Sequence, residues 1–146
     1  MSQTTSLPPR LEEIVTDFME CEGREKLELL LEYAHQFPPF PEELRLAESI
    51  EDVPECMTPV QMNSTVLDGR LDFFFDVPPE APTVRGFAAL MMEGMNGSTP
   101  RQILSIPAEF YLRMGLQEEL TPQRMHGMAA ILAHVKRRAA SLVRED

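Results

Sequence analysis

Cysteine and positive charge are both scarce in this 146-residue sequence: it holds two Cys, and 13 Lys and Arg stand against 24 Asp and Glu. Two cysteines are too few for a disulfide framework in a chain of this size. A net charge of −11 and a pI near 4.7 argue against nucleic-acid binding, which needs a basic face to meet phosphate. No apolar run approaches the roughly 18–20 residues of a membrane span. The first residues, MSQTTSLPPRLEE, lack a basic segment followed by an apolar stretch, so no secretory signal is expected. Internal repeats and low-complexity segments are missing as well. What is there is 43% apolar residues, enough for a core. The expectation is one soluble, acidic, cytoplasmic domain over residues 1–146, with a flexible start over about 1–7.

The charge is uneven. Residues 1–60 carry −10, residues 61–120 carry −4, and residues 121–146 carry +3. Lys136, Arg137, Arg138 and Arg144 suit the C-terminal end of a helix dipole. The acidic front reads as a solvated face or, compatibly, as a surface that steers the chain toward a basic partner.

Periodicity sets out the elements. Leu11, Ile14, Val15 and Phe18 predict a helix over about 9–20, and Leu27, Leu30, Leu31, Ala34 and Phe37 predict a second, stopped by Pro38-Pro39. Residues 38–59 hold five prolines and few apolar positions, which reads as one long functional loop. Val60 and Met62, then Leu71, Phe73, Phe75 and Val77, alternate around Asp68-Gly69 as an antiparallel hairpin. Phe74 breaks that alternation and suggests a second, partly covered face. A helix from Pro82 to about Met95 follows. Thr99-Pro100 with Gln102 forms a capping box, a short helix runs from Pro107 to a left-handed cap at Gly115, and Thr121-Pro122 opens the longest helix. The fold class is α+β: a small antiparallel sheet, a hairpin of two to three strands, with helices packed on one side.

Cys56 is the residue best placed for chemistry, in Val53-Pro54-Glu55-Cys56-Met57-Thr58-Pro59 just ahead of the first strand. A structural cysteine more often sits on the apolar face of a helix or strand. Cys21, between Glu20 and Glu22, is disfavoured as a thiolate and reads as structural. Cys21, Cys56, His35, His126 and His134 show no close ligand spacing, so neither a metal nor a cofactor is expected. The residues alone leave open a thiol enzyme and an acidic interaction module or chaperone with an inert Cys56.

Around Cys56 the chain resembles the SufE family, the cysteine desulfuration proteins. The family's loop reads roughly V-x-G-C-x-S-x-V-W, against Val53-Pro54-Glu55-Cys56-Met57-Thr58-Pro59-Val60-Gln61 here. Ala81-Pro82-Thr83-Val84-Arg85-Gly86 is similar to the family's helix start after the second strand, and Leu120-Thr121-Pro122-Gln123-Arg124-Met125-His126-Gly127 to its L-[TS]-P-x-R-x-x-G. The match covers about residues 8–142. Glu55 departs from the family's Gly, and a carboxylate there raises the pKa of the neighbouring thiol. Met57, Thr58 and Gln61 replace the usual Gln, Ser and Trp, which marks a divergent member.

The resemblance implies a SufE/IscU-like fold and a covalent persulfide carrier rather than an enzyme. Cys56 would accept sulfur from a pyridoxal-phosphate-dependent cysteine desulfurase, stimulate it, and pass the sulfur to iron–sulfur scaffold proteins. It implies no membrane partner, and a monomer or weak dimer. Arg124, and less so Arg85, are the candidates to support the thiolate or persulfide anion. Gly86 and Gly127 are read as helix-packing positions, and Asp76 as a helix cap or an arginine partner.

Overall fold

The computed structural model describes residues 7–45, 50–53 and 59–144. The segment with Cys56 and Glu55 lies outside them, as do residues 1–6. Leu7, expected in the flexible start, is buried in the core.

Helix α1 (Pro9–Met19) begins with Pro at its first position, where a missing N–H costs nothing. Leu11, Ile14, Val15 and Phe18 form its fully buried stripe. Helix α2 (Arg24–His35) follows Gly23, whose φ of 55° lies in the left-handed region. The buried Lys26 on α2 donates from Nζ to the Phe18 carbonyl at 2.7 Å, tying α2 to the end of α1. The proline-rich stretch is not one uninterrupted loop. It contains a single-turn helix α3 (Glu42–Arg45) and a two-residue strand β1 (Glu51–Asp52), too short to leave a periodicity.

β2 (Gln61–Leu67) and β3 (Arg70–Asp76) form the expected hairpin, and β1 adds to β2, giving an antiparallel sheet of order β1-β2-β3. Asp68 and Gly69, with φ of 54° and 75°, make the two-residue turn whose twist matches the strands. Met62↔Phe75, Ser64↔Phe73 and Val66↔Leu71 pair on the face toward the helices. Asn63↔Phe74 and Gln61↔Asp76 pair on the other, which α3 partly covers. Asn63 Nδ2 donates to the Leu44 carbonyl at 3.2 Å, and Arg45 pairs with Asp76 at 2.5 Å. Asn63, polar in the sequence pattern, is thus buried, whereas Leu67 at the hairpin tip is 76% exposed.

The centre is helix α4 (Pro82–Met95), with eleven residues buried and neighbours on every side. A Cβ at Gly86 would meet the Leu30 carbonyl oxygen at 2.3 Å, and one at Gly94 would meet Leu11 at 2.8 Å. These glycines let α2 and α1 lie close against α4. Past α4, Asn96 Oδ1 accepts from the Phe73 N–H at 2.8 Å while its Nδ2 donates to the Phe73 carbonyl at 3.1 Å. That side chain finishes the outer edge of β3 as another strand would. Helix α5 (Pro100–Leu104) opens with the expected capping box at Thr99 and Gln102. The 107–115 segment is a 3₁₀ turn over Phe110–Met114, ended by left-handed Gly115.

Helix α6 (Pro122–Arg144) buries Met128, Ile131, Leu132, Val135 and Ala139. Its late cations make defined contacts beyond any dipole effect. Lys136 donates to the Ile106 carbonyl and Arg138 to Ser64 Oγ, while Arg137 lies beside His134. No helix among the described residues is long and apolar enough to cross a membrane.

Candidate functional site

The connection that carries Cys56 in sequence leaves the sheet at Val53 and returns at Val60. The Val53 N–H donates to the Val60 carbonyl at 2.9 Å, and both side chains are buried, 5% and 2% exposed. Next inward, Asp52 pairs with Gln61 and Glu51 with Met62. Gln61, where the resemblance sets an aromatic, is half-buried and donates from Nε2 to Asp52 Oδ1 at 3.2 Å. The loop therefore stands on a hydrogen-bonded stem anchored by two valines.

One edge of this stem meets α6. Glu51 shares the helix-facing side of the sheet with Met62 and Ser64. His134 Nε2 lies 2.7 Å from Glu51 Oε1, and Arg138 Nε donates to Ser64 Oγ at 3.0 Å. Four residues along the helix, about 6 Å, match two along the strand, about 6.6 Å, so α6 runs beside β2 in the same direction. The start of α6 consequently extends toward the end of the sheet where the loop departs. Arg124 lies ten residues, about 15 Å along the axis, before His134. It is exposed; its backbone N–H is bonded to Thr121 Oγ1 at 3.3 Å and its guanidinium makes no ion pair with a described residue.

Arg85 is engaged differently. Its Nη1 donates to the Val77 carbonyl, and its guanidinium sits 4.2 Å from the centre of the Phe37 ring. Both contacts hold the start of α4 against the end of β3 and the end of α2. Arg45, which the sequence reading passed over, also belongs to this end of the sheet through Asp76 and lies 5.2 Å from the Phe40 ring centre. Asp76 pairs with an arginine, one of its two expected roles.

Cys21, between α1 and α2, is half-buried. Burial pushes its thiol pKa up, and Glu25 adds to the effect. The described residues contain no group of three His, Cys, Asp or Glu able to hold a metal. His126 is exposed, and His134 is committed to Glu51. Sequence reasoning weighed His134 only as a metal ligand and missed Glu51 and Arg138. Glu51 and His134 stand 83 positions apart, and no local pattern joins them.

The molecule is thus an α+β scaffold whose three-stranded sheet carries, on a clamped stem, a loop with a cysteine in its sequence. Comparison with known proteins gives the class a family. The model of the SufE domain, described as an Fe-S metabolism associated domain, matches residues 12–139. The chain is 43% identical over 140 residues to the SufE-like protein Rv3284 of Mycobacterium tuberculosis, covering 94% of this chain and 96% of that one. It is 32% identical over 135 residues to the SufE-like protein slr1419 of Synechocystis, covering 92% and 82%. A solution structure of a Thermus thermophilus protein superposes with a TM-score of 0.81 at 35% identity, covering 94% and 98%. This chain belongs to the SufE family, as a divergent member.

Proposed function

We propose that this protein is a sulfur acceptor and carrier for iron–sulfur cluster assembly, loaded on Cys56 by a pyridoxal-phosphate-dependent cysteine desulfurase whose turnover it stimulates. The observation that carries the reading is the stem: the Cys56 segment joins β1 to β2 across the Val53–Val60 hydrogen bond, in a chain of the SufE family. Cys56 is the third residue from each of Val53 and Pro59, so its Cα lies within about 10 Å of either. That tether keeps the thiol at one end of the molecule while leaving it room to enter a partner's active site.

The chemistry is a thiol exchange that balances without an outside oxidant. The Cys56 thiolate attacks the outer sulfur of the donor's Cys–S–SH. A bond forms between Cys56 Sγ and that sulfur as the donor's S–S bond breaks. The electron pair leaves with the donor cysteine, which takes up the proton that Cys56 released. The same exchange then hands the sulfur to a scaffold thiol. The protein acts as a carrier and performs no net turnover of its own. Arg124 is assigned the electrostatic support of the thiolate, because the Arg85 guanidinium is occupied by Phe37 and the Val77 carbonyl.

Intact-mass spectrometry after incubation with the desulfurase and cysteine tests the reading. A gain of about 32 mass units per added sulfur is expected in the wild type and in Cys21→Ser, and not in Cys56→Ser. A folded protein that gains no mass beside a demonstrably active desulfurase, or gains it equally in Cys56→Ser, overturns the proposal.

A further inference from the structure

The structure assigns to His134, with Glu51, a positioning role: a polar clamp from α6 that fixes the stem of the Cys56 loop during sulfur transfer. This rests on the proposed function. β1 is only two residues long and both are exposed, so beyond the buried Val53 and Val60 its hold on β2 is two pairings and the Gln61–Asp52 bond. The hold is reinforced from the long helix. His134 Nε2 meets Glu51 Oε1 at 2.7 Å on β1, and Arg138 meets Ser64 Oγ at 3.0 Å on β2, so one helix grips both strands of the stem.

The proton arrangement follows from the neighbours. Arg137 Nη2 faces His134 Nδ1 at 3.5 Å, and a guanidinium has no acceptor to offer. Nε2 therefore carries the hydrogen that is donated to the Glu51 carboxylate. The His134 side chain is 12% exposed and that of Glu51 48%, so the ring is held by the helix while the strand is the part that moves without it. Val135, the neighbour of His134 on α6, is fully buried. The clamp thus refers the stem to the hydrophobic core. Glu51, Asp52, His134, Arg137, Arg138 and Ser141 surround an open hollow of about 440 Å³ on this side. A partner closing over the loop would meet the clamp there.

The test uses the full chain in a Cys21→Ser background, with two readouts. The first needs no partner: hydrogen exchange of the Val53 amide, which is held by the Val60 carbonyl. His134→Ala is expected to speed that exchange about tenfold, with amides of α4 unchanged. The second is single-turnover persulfide formation on Cys56 at saturating desulfurase. His134→Ala is expected to lower its rate about fivefold or more, with little change in the half-saturating desulfurase concentration, because the defect is in presentation rather than binding. His134→Gln, whose amide nitrogen can donate to Glu51 in place of Nε2, restores both readouts. Glu51→Ala reproduces the defect and adds nothing on top of His134→Ala. Unchanged Val53 exchange in His134→Ala overturns the clamp, and so does faster exchange with an unaltered transfer rate. A wild-type protein that accepts no sulfur overturns the proposed function instead, while the exchange experiment still decides whether the clamp holds the stem.

Discussion

At Gly86 there is no room for a methyl group, because a Cβ would lie 2.3 Å from the backbone oxygen of Leu30. Backbone cannot rotate away as a side chain end can, so Gly86→Ala must push α2 off α4. The expected loss is about 3 kcal/mol, read as a lower urea midpoint at an unchanged slope. Cys21 makes a chemical prediction. Its thiol pKa is raised above the ordinary 9.0 by burial first and Glu25 second. In the Cys56→Ser protein, alkylation of Cys21 by iodoacetamide at pH 8 should be slower than that of an unstructured thiol and should recover in urea. The sign for stability follows. The unfolded chain loses this proton first, so the group's contribution is complete below the ordinary value and declines as pH climbs through the interval up to the raised one. A pH–rate profile whose midpoint lies at or below 9.0 contradicts this assignment. Both residues were singled out from sequence, Gly86 as a packing position and Cys21 as a thiol beside carboxylates. Which carboxylate acts was not legible: Glu25, in the first turn of α2, outweighs the adjacent Glu20.

Among the elements, the outer edge of β3 is covered by backbone at Leu71, which pairs with Ser98 and Gly97, and by one side chain at Phe73. Asn96 both accepts from and donates to the backbone of Phe73. Asn96→Ala leaves that N–H and that carbonyl unpaired in a part-buried position and should cost about 2 kcal/mol. Asn96→Asp keeps the acceptor and loses the donor, so it should fall between the two. Thermal unfolding of the three proteins gives the order, and an Asn96→Ala protein as stable as wild type would show that water satisfies the edge. The helices with strong apolar stripes, the hairpin turn at Asp68-Gly69 and the capping box at Thr99 were all readable from local pattern, because each is fixed by residues within a few positions. β1 and α3 were not. Their two and four residues are held by distant partners, Met62 and Gln61 for β1 and Asp76 and Asn63 for α3.

For the molecule as a whole, the proposed division of labour between two arginines, Arg85 for the fold and Arg124 for the chemistry, is open to direct test. Arg85→Ala removes the Phe37 stacking and the Val77 carbonyl bond and should cost about 1–2 kcal/mol, with sulfur uptake per folded molecule unchanged. Arg124→Ala should leave the unfolding midpoint near wild type and slow persulfide formation on Cys56 about three- to tenfold. Unfolding curves and single-turnover transfer on the same two variants check the assignment, and an exchange of the two phenotypes would reverse it.

By itself the sequence determined the class of fold, the places of the helices with strong apolar stripes, the turn and the family. Each rests on local periodicity, on glycine and proline geometry, or on short motifs that survive divergence. Only the tertiary structure decided that the cysteine loop stands on a stem pinned by Val53 and Val60, and that Arg85 is spent on Phe37. It alone decided that His134 answers Glu51 across 83 positions. Each of these contacts joins segments far apart in sequence or on separate elements, and the packing of two elements sets a meeting that neither encodes alone.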